Sequence, residues 1–451
     1  MPAAAGGVGA LYCDEYALSM ADSMHRHGQN GQVSFELSVR SLPAQRGYLV
    51  VAGLEPALEH LENLHFTPDD LEWLAGTGAW RPEFLAWLST FRFTGDVDAI
   101  PEGTVAGAGM PLLRLTAPRI QATLVEGALL AMVNHETTVA SKTSRIVEAA
   151  AGRPVYDFSL RRLQGPEAGP GVARGAYIAG AAGTATVVAG RRYGIPTTGT
   201  MAHHYVLGFG EDGEQLAFEQ FLRDHPERAA VLVDTYDTLR GVHRAVAAAQ
   251  ATGVALAGVR LDSGDIDALA RQARAILDAA GTTATQIVAS NELDEWSIRE
   301  LVEAGAPVDS FGVGTRLGTS SDAPSLSAVY KLVAQWRNGV VEPVMKRSAG
   351  KGNDPGMHQV WRDRHGDLVG LAGERRSGTP LLAPVMREGE RLRPCPALTE
   401  ARERCRAQRE ALPAAVRRLD EPEAWRVRRS RALEALRSRL TALPADAEEV
   451  A

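Results

Sequence analysis

Residues 194–205 read GIPTTGTMAHHY, a short β-branched run that ends in two adjacent histidines, His203 and His204. Before it, residues 173–193 carry a small-residue helical pattern; after it the apolar run Tyr205-Val206-Leu207 resumes. The predicted order is helix, strand, Gly-Thr turn, helix start. Gly199 permits a tight bend, and Thr200 is placed to cap the next helix. A histidine on the first turn after a strand stands where α/β folds collect their chemistry. A plainer reading also fits the same residues, with one histidine capping the helix and the other solvated.

Outward from this stretch, residues 153–335 alternate regularly: short apolar runs end in polar residues and lead into helical patterns. The run ends are Asp157, Thr197, Asp234, Asp262, Ser290-Asn291 and Gly312-Val313-Gly314. Ile266, Leu269, Ala270, Ala273, Ile276 and Leu277 show the three/four spacing of an amphipathic helix. Six such units predict a parallel, barrel-like α/β domain with its polar strand ends on one face. Gly152-Arg153-Pro154 closes an Ala-rich helical segment at 118–150 and marks the first domain boundary. Residues 1–152 hold a helix at 14–27, a half-buried strand (Val33, Phe35, Leu37, Val39) closed by Arg40, and a Thr67-Pro68 helix start. Residues 336–451 read as strands, a hairpin around 381–390 and a charged segment at 398–440 taken as a solvated helix face.

The 451 residues suggest two to three domains, and 45% hydrophobic with 23% charged residues describes an ordinary globular chain with ample core. A formal net charge of -7 argues against a nucleic-acid-binding domain, which is usually basic. Three scattered cysteines (Cys13, Cys395, Cys405) lack metal spacing and point to a reducing cytoplasm. No apolar run approaches the ~18–20 residues of a membrane span. The start MPAAAGGVGA lacks a basic region and an apolar core, so no signal peptide is expected.

Three strand ends could carry chemistry. Arg260 interrupts the apolar strand before Asp262-Ser263-Gly264-Asp265 and needs an anionic partner. Two carboxylates beside it can hold Mg²⁺ or accept ribose hydroxyls, or Ser263 and Asp262 can simply cap the following helix. Asp234, one unit after His203, can fix an imidazole tautomer or cap its own helix. Gly312, Gly314 and Thr315 form a glycine turn able to nest a phosphate, and tight-turn geometry alone explains them equally well.

The string GIPTTGTMAHHYV resembles the active-site signature of nicotinate phosphoribosyltransferases. Matching blocks are RRLQGP at 161–166, VDTYDT at 233–238, GVRLDSGDI at 258–266, SNELDE at 290–295 and FGVGT at 311–315. The N-terminal DEYALSMADSMHRHG, FELSVRSLP and GYLVVAGLE also fit, so the resemblance runs from about Tyr12 to Leu412. It implies an α/β fold with an irregular, incomplete TIM-like β/α barrel plus a smaller α+β domain built from the N- and C-terminal segments. It also implies transfer of the phosphoribosyl group of 5-phosphoribosyl 1-diphosphate to nicotinate in NAD biosynthesis, by an ATP-dependent, ligase-type glycosyltransferase. Mg²⁺ and ATP would take part, and His203 would become a phosphohistidine with Asp234 as its partner.

By the same resemblance Asp262 is a ribose and metal-side residue, Arg260 contacts the pyridine substituent, Phe158 stacks on the ring, and Arg161 faces phosphate. The Gly312–Thr315 turn takes the 5-phosphate of the ribose. Arg40 and Lys346 are weaker candidates for the pyrophosphate. A cytoplasmic homodimer is implied, in which the Tyr16 region completes the neighbour's site. Two departures stand out: His204 replaces the usual Ser, and Ala17 the usual Gln or Glu.

The alternatives are a nicotinamide phosphoribosyltransferase and a non-catalytic paralogue that senses nucleotide level; a quinolinate enzyme would have a much shorter chain. Intact His203, Asp234 and Asp262 oppose the sensor. Ala185 opposes the amide, because the amide enzymes carry Asp there to accept the carboxamide N–H₂. Without it, Arg260 and the Thr200 hydroxyl are available to bind a carboxylate, with Phe158 and Tyr16 placed to sandwich the ring.

Overall fold

A computed structural model describes residues 9–347, 352–394 and 396–442; the first eight residues and Cys395 lie outside the described residues. The chain divides into two compact units, Met1–Thr137 with Ser325–Ala451, and Thr138–Pro324. The divisions differ from the expected 152 and 335. One falls within the helix Glu126–Ala149, whose Leu129 and Val133 belong to the first unit's core. Residue 335 lies inside the strand Ala328–Arg337, which pairs with Gln32–Val39 and so belongs to the two-segment unit. That unit is thereby the larger of the two, not the smaller.

In the Thr138–Pro324 unit, six parallel strands lie in the order Gly183–Thr184, Val155–Asp157, Ser310–Val313, Gln286–Ala289, Gly258–Leu261 and Ala230–Leu232. The two edge strands do not pair with each other, so the sheet stays open. The helices Thr238–Thr252 and Ile266–Ala279 bury an apolar stripe; the second buries Ile266, Ala270, Ala273 and Leu277, as its spacing predicts.

The strand expected near Thr197 shrinks to one isolated bridge, Thr197 to Thr184. Pro196 has no N–H for a ladder; its carbonyl accepts from Thr184 N (3.0 Å), and Thr198 N donates to Thr184 O (3.0 Å). The sixth strand is instead Gly183–Thr184, which splits the expected 173–193 helix into Ala168–Ala179 and Val187–Tyr193.

The two-segment unit is built on a seven-stranded sheet with Gln32–Val39 near its middle, antiparallel to both Ala328–Arg337 and Pro111–Pro118. Leu37, Leu113, Leu115 and Phe84 lie in its core. Thr67 and Asp70 form a reciprocal capping box at the start of the helix Pro68–Gly76. The expected hairpin is Ala383–Arg387 with Glu390–Arg391; Glu388 (φ 51°) and Gly389 (φ 81°) both take the left-handed conformation its two-residue turn requires. A Cβ on Gly389 would also stand 2.1 Å from the Phe93 carbonyl.

The charged segment at 398–440 is not one helix. It breaks into Leu398–Glu410, Ala414–Arg417 and Arg431–Ala442, with a strand Val427–Arg429 paired to Gly366–Leu371. Pro413 and Pro422 interrupt it. Among the described residues no helix is long and apolar enough to cross a membrane.

Candidate active site

Helix caps decide which carboxylates at the strand ends are free for other work. The helix Ile266–Ala279 is capped by Asp265, whose side chain accepts from Ala268 N at 3.1 Å. Thr238–Thr252 is capped by Asp237, accepting from Arg240 N at 2.8 Å. Asp262 and Asp234 therefore do not cap, and both turn to other partners. Asp262 Oδ1 accepts from the Ser290 hydroxyl at 2.5 Å and stands 3.4 Å from Arg260 Nη2. Asp234 Oδ2 accepts from Asp262 N (2.9 Å) and the Ser263 hydroxyl (2.6 Å).

Arg260 is buried in its strand, and its guanidinium is pinned from several sides. Nε donates to Ser290 Oγ (3.0 Å) and Nη1 to Thr200 Oγ1 (3.3 Å). Its Cζ lies 5.8 Å from the centre of the Phe158 ring, within cation–π range. Thr200 thus serves Arg260 and is not a helix cap; the short helix His203–Leu207 has Ala202 at its N-cap with no side-chain bond.

His203 is half-exposed. Its Nδ1 is 3.2 Å from Thr235 Oγ1 and its Nε2 is 3.7 Å from Asp262 Oδ2. The expected grip of Asp234 on the imidazole is not formed: Thr235, the next residue, occupies Nδ1, and Asp234 Oδ1 is buried without a hydrogen-bond partner among the described residues. His204 is exposed.

Gly312 has a part that was not expected. A Cβ there would lie 2.4 Å from the Phe158 ring, so the glycine makes room for the aromatic face. At Gly314 a Cβ would meet only ordinary contact with Phe158 O, at 3.6 Å. The Thr315 hydroxyl donates to Glu292 Oε1 at 3.2 Å.

Sequence reasoning left Asp157 without a role. It is buried at the end of its strand, where Oδ1 accepts from Ser159 N (2.9 Å) and Oγ (2.5 Å), Oδ2 accepts from Thr184 Oγ1 (2.7 Å), and its carbonyl accepts from Ala185 N (2.8 Å). One residue thereby ties down the loops that present Phe158 and Ala185. Burial raises its pKa, and the hydroxyl bonds oppose that rise in part. Ser290 was expected only as a strand end, Ser263 only as a helix cap, and Thr235 not at all. Each is a small hydroxyl whose role exists only once two strand ends meet, so no local signal marks it.

Phe158, Arg161, Ala185, His203, Arg260 and Asp262 line a cavity of about 290 Å³. A narrower cleft of about 90 Å³ shares Phe158, Arg161, Arg260 and Asp262 and adds Arg162, Gly312, Gly314 and Thr315. Among the described residues no group of three or more His, Cys, Asp or Glu could hold a metal alone. Asp262 keeps Oδ2 away from its Ser290 bond, which suits a Mg²⁺ whose other ligands are phosphate oxygens and water.

The remaining candidates lie in the two-segment unit. Tyr16, on the helix Glu15–Arg26, is half-exposed, and its pKa is raised by partial burial and by Glu126 and Asp14. Arg40 and Lys346 line a cavity of about 520 Å³ whose wall also carries Lys331, Arg347, Arg429 and Arg437. Asp354 there pairs with Arg429 (2.7 Å) and Arg437 (3.1 Å), and Glu36 with His358 (2.6 Å). Among the described residues no ion pair or hydrogen bond engages the side chain of Arg40 or Lys346.

An aromatic face, a pinned guanidinium, a histidine and an aspartate at the carboxyl ends of parallel strands define a ligand-binding α/β domain of the enzyme type. The chain matches the family models described as the nicotinate phosphoribosyltransferase N-terminal domain (residues 11–134), the nicotinate phosphoribosyltransferase family (154–369) and the C-terminal domain (372–437). It is similar to nicotinate phosphoribosyltransferase pncB2 of Mycobacterium tuberculosis, at 46% identity over 92% of this chain and 90% of the relative. It is similar to the Bacillus subtilis nicotinate phosphoribosyltransferase at 38% identity, over 81% and 77% of the two chains. The human nicotinic acid phosphoribosyltransferase crystal structure superposes with a TM-score of 0.83 at 26% identity, covering 95% of this chain and 99% of that one. The chain belongs to the nicotinate phosphoribosyltransferase family.

Proposed function

We propose that this protein joins nicotinate to 5-phosphoribosyl 1-diphosphate in NAD biosynthesis, releasing nicotinate mononucleotide and diphosphate. The observation that carries the reading is Arg260, held by Ser290 and Thr200 beside the Phe158 ring in a cavity lined by Ala185. That wall suits a flat aromatic ring bearing one carboxylate. The names and extent of the relatives support the same substrate.

The ring's position on Phe158 would orient its nitrogen toward C1 of the ribose. Arg161 and the cleft at Gly314 and Thr315 would take the 5-phosphate. Asp262 would accept ribose hydroxyls and stabilise positive charge developing at C1. Mg²⁺, where bound, would neutralise the leaving diphosphate, with Asp262 as its protein ligand. Arg40 and Lys346 would hold the diphosphate.

ATP hydrolysis through a phosphohistidine at His203 is part of this proposal. The γ-phosphoryl group would pass to Nε2 as its bond to the departing ADP breaks, because Thr235 occupies Nδ1. A cytoplasmic homodimer, in which Tyr16 of one copy borders the ring cavity of the other, belongs to the same reading. The half-exposed Tyr16 ring supports it.

The test is product formation from nicotinate, 5-phosphoribosyl 1-diphosphate, ATP and Mg²⁺, with nicotinamide run in parallel. Nicotinate mononucleotide should appear, with nicotinate favoured. Equal or better use of nicotinamide would overturn the substrate, and no product from either would overturn the enzyme reading.

A further inference from the structure

The large cavity of the two-segment unit contains a polar atom that its own surroundings leave unsatisfied. His358, at the start of the strand His358–Asp363, is 2% exposed and lines the cavity. Glu36, from the strand Gln32–Val39, grips it twice. The His358 backbone N donates to Oε1 (2.8 Å), and Nδ1 lies 2.6 Å from Oε2. A carboxylate only accepts, so Nδ1 carries a hydrogen. Nε2, on the ring edge away from Glu36, is buried with no hydrogen-bond partner among the described residues. The neutral ring thus leaves a bare lone pair there, and the protonated ring leaves an N–H without an acceptor. An unpaired buried polar group is costly, and an accepting ligand oxygen would relieve the protonated form.

The charged groups around the ring come from several elements. Glu36 sits on the central strand, in register with Arg114 on one neighbouring strand and Lys331 on the other. Arg114 donates to the His358 carbonyl at 2.6 Å and pairs with Asp98 at 2.7 Å. Asp354 faces the ring while engaged by Arg429 and Arg437. Arg40, Lys346 and Arg347 complete the cavity's cationic wall. Burial on its own would lower the His358 pKa; the Glu36 carboxylate outweighs it, with help from Asp354 and against Arg114, and the pKa ends above its ordinary value.

We propose that His358 binds the diphosphate group through Nε2–H as an imidazolium, so that this cavity takes up a proton with its anion and holds it more tightly at acid than at alkaline pH. This rests on the reading that the cavity receives diphosphate. Arg40 and Lys346 supply charge at every working pH, whereas His358 supplies a donor that pH removes. Glu36 keeps the ring oriented and favours the protonated form.

The experiment is calorimetric titration of the full chain with inorganic diphosphate between pH 6 and 9, in buffers of differing ionisation enthalpy. Diphosphate bound among cations can itself only lose protons, so net proton uptake near pH 8 identifies a protein group. His358→Asn keeps an N–H for Glu36 but has nothing at the Nε2 position. At pH 6 the wild type should bind roughly tenfold or more tightly than His358→Asn, the worth of one charge-assisted hydrogen bond. That ratio should shrink toward one at pH 9, and the diphosphate's own titration cancels from it. His358→Lys should bind tightly with the pH-dependent ratio abolished.

A pH-independent ratio in a folded His358→Asn protein, or proton exchange on binding that is equal in the wild type and in His358→Lys, overturns the role of His358. Arg40→Ala separates the two failures. If Arg40→Ala weakens binding while the His358 ratio stays flat, the cavity reading stands and this inference falls. If diphosphate does not bind, or binds independently of Arg40, both fall.

Discussion

The two cavities differ in how they are charged. The one in the Thr138–Pro324 unit has an aromatic face and a guanidinium committed to Ser290 and Thr200. Among the described residues, the one in the two-segment unit has six Arg and Lys side chains in its wall, against two carboxylates that are already paired. The first sets one pinned guanidinium beside a ring, and the second presents a mostly cationic wall, which suits a multiply charged anion. A pinned guanidinium reads geometry because its donors cannot swing to follow a poorly fitting ligand. Arg40 and Lys346 read total charge.

The predictions set one cavity against the other. The largest effect is expected from His203→Ala, which should abolish acid-labile ³²P labelling from ATP and ATP stimulation of turnover. Labelling that survives in His203→Ala and disappears in His204→Ala would reassign the phosphorylated residue. Asp262→Asn should then reduce kcat by roughly 10²–10³, the usual cost of removing one electrostatic stabiliser, with an unchanged Tm. Asp265→Ala should do the opposite, lowering stability by about 1 kcal/mol as a lost cap with kcat nearly intact. If Asp262→Asn destabilises and leaves turnover alone, the division between the two carboxylates is wrong.

Gly312→Ala places a methyl group against the Phe158 ring. It should raise KM for nicotinate about tenfold, the ~1.4 kcal/mol of a displaced aromatic contact, and leave KM for 5-phosphoribosyl 1-diphosphate little changed. Arg40→Ala should show the reverse split. Equal effects on both substrates from either variant would dissolve the distinction between the cavities. Ala185→Asp should erode the preference for nicotinate over nicotinamide through weaker nicotinate use, measured as the ratio of kcat/KM values.

The smallest effect concerns stability. The folded His358 pKa is raised, so the contribution of its Glu36 contact is complete below the unfolded value of about 6.5 and is lost as pH rises through the folded one. The Tm difference between wild type and His358→Asn should therefore be larger at pH 6 than at pH 9, and a difference that grows with pH would contradict it.

Much of this was legible along the chain. Period-two alternation marked the central strand of the first unit, and Thr67-Pro68 marked a helix start that the structure caps reciprocally. Five of the six expected strand ends, at Asp157, Asp234, Asp262, Ser290 and Gly312, lie at the ends of real parallel strands or within two residues past them. The run at Thr197 misled because β-branched residues favour strands, whereas Pro196 interrupts the ladder.

What the sequence by itself determined was local: apolar periodicity set the elements, and a cation inside an apolar strand announced Arg260 as a residue in need of partners. Which partners it found was decided only by tertiary structure. Ser290 reached Arg260 and Asp262 because neighbouring strands aligned their ends, with Val288 opposite Arg260 and Ala289 opposite Leu261. Thr235 displaced Asp234 at His203, and Asp237 and Asp265 took over the caps. Hydrogen bonds of about 3 Å depend on where two distant backbones stop. His358 is the clearest case: its isolated position in the chain carries no signal, and only the fold places Glu36, 322 residues away, on its Nδ1.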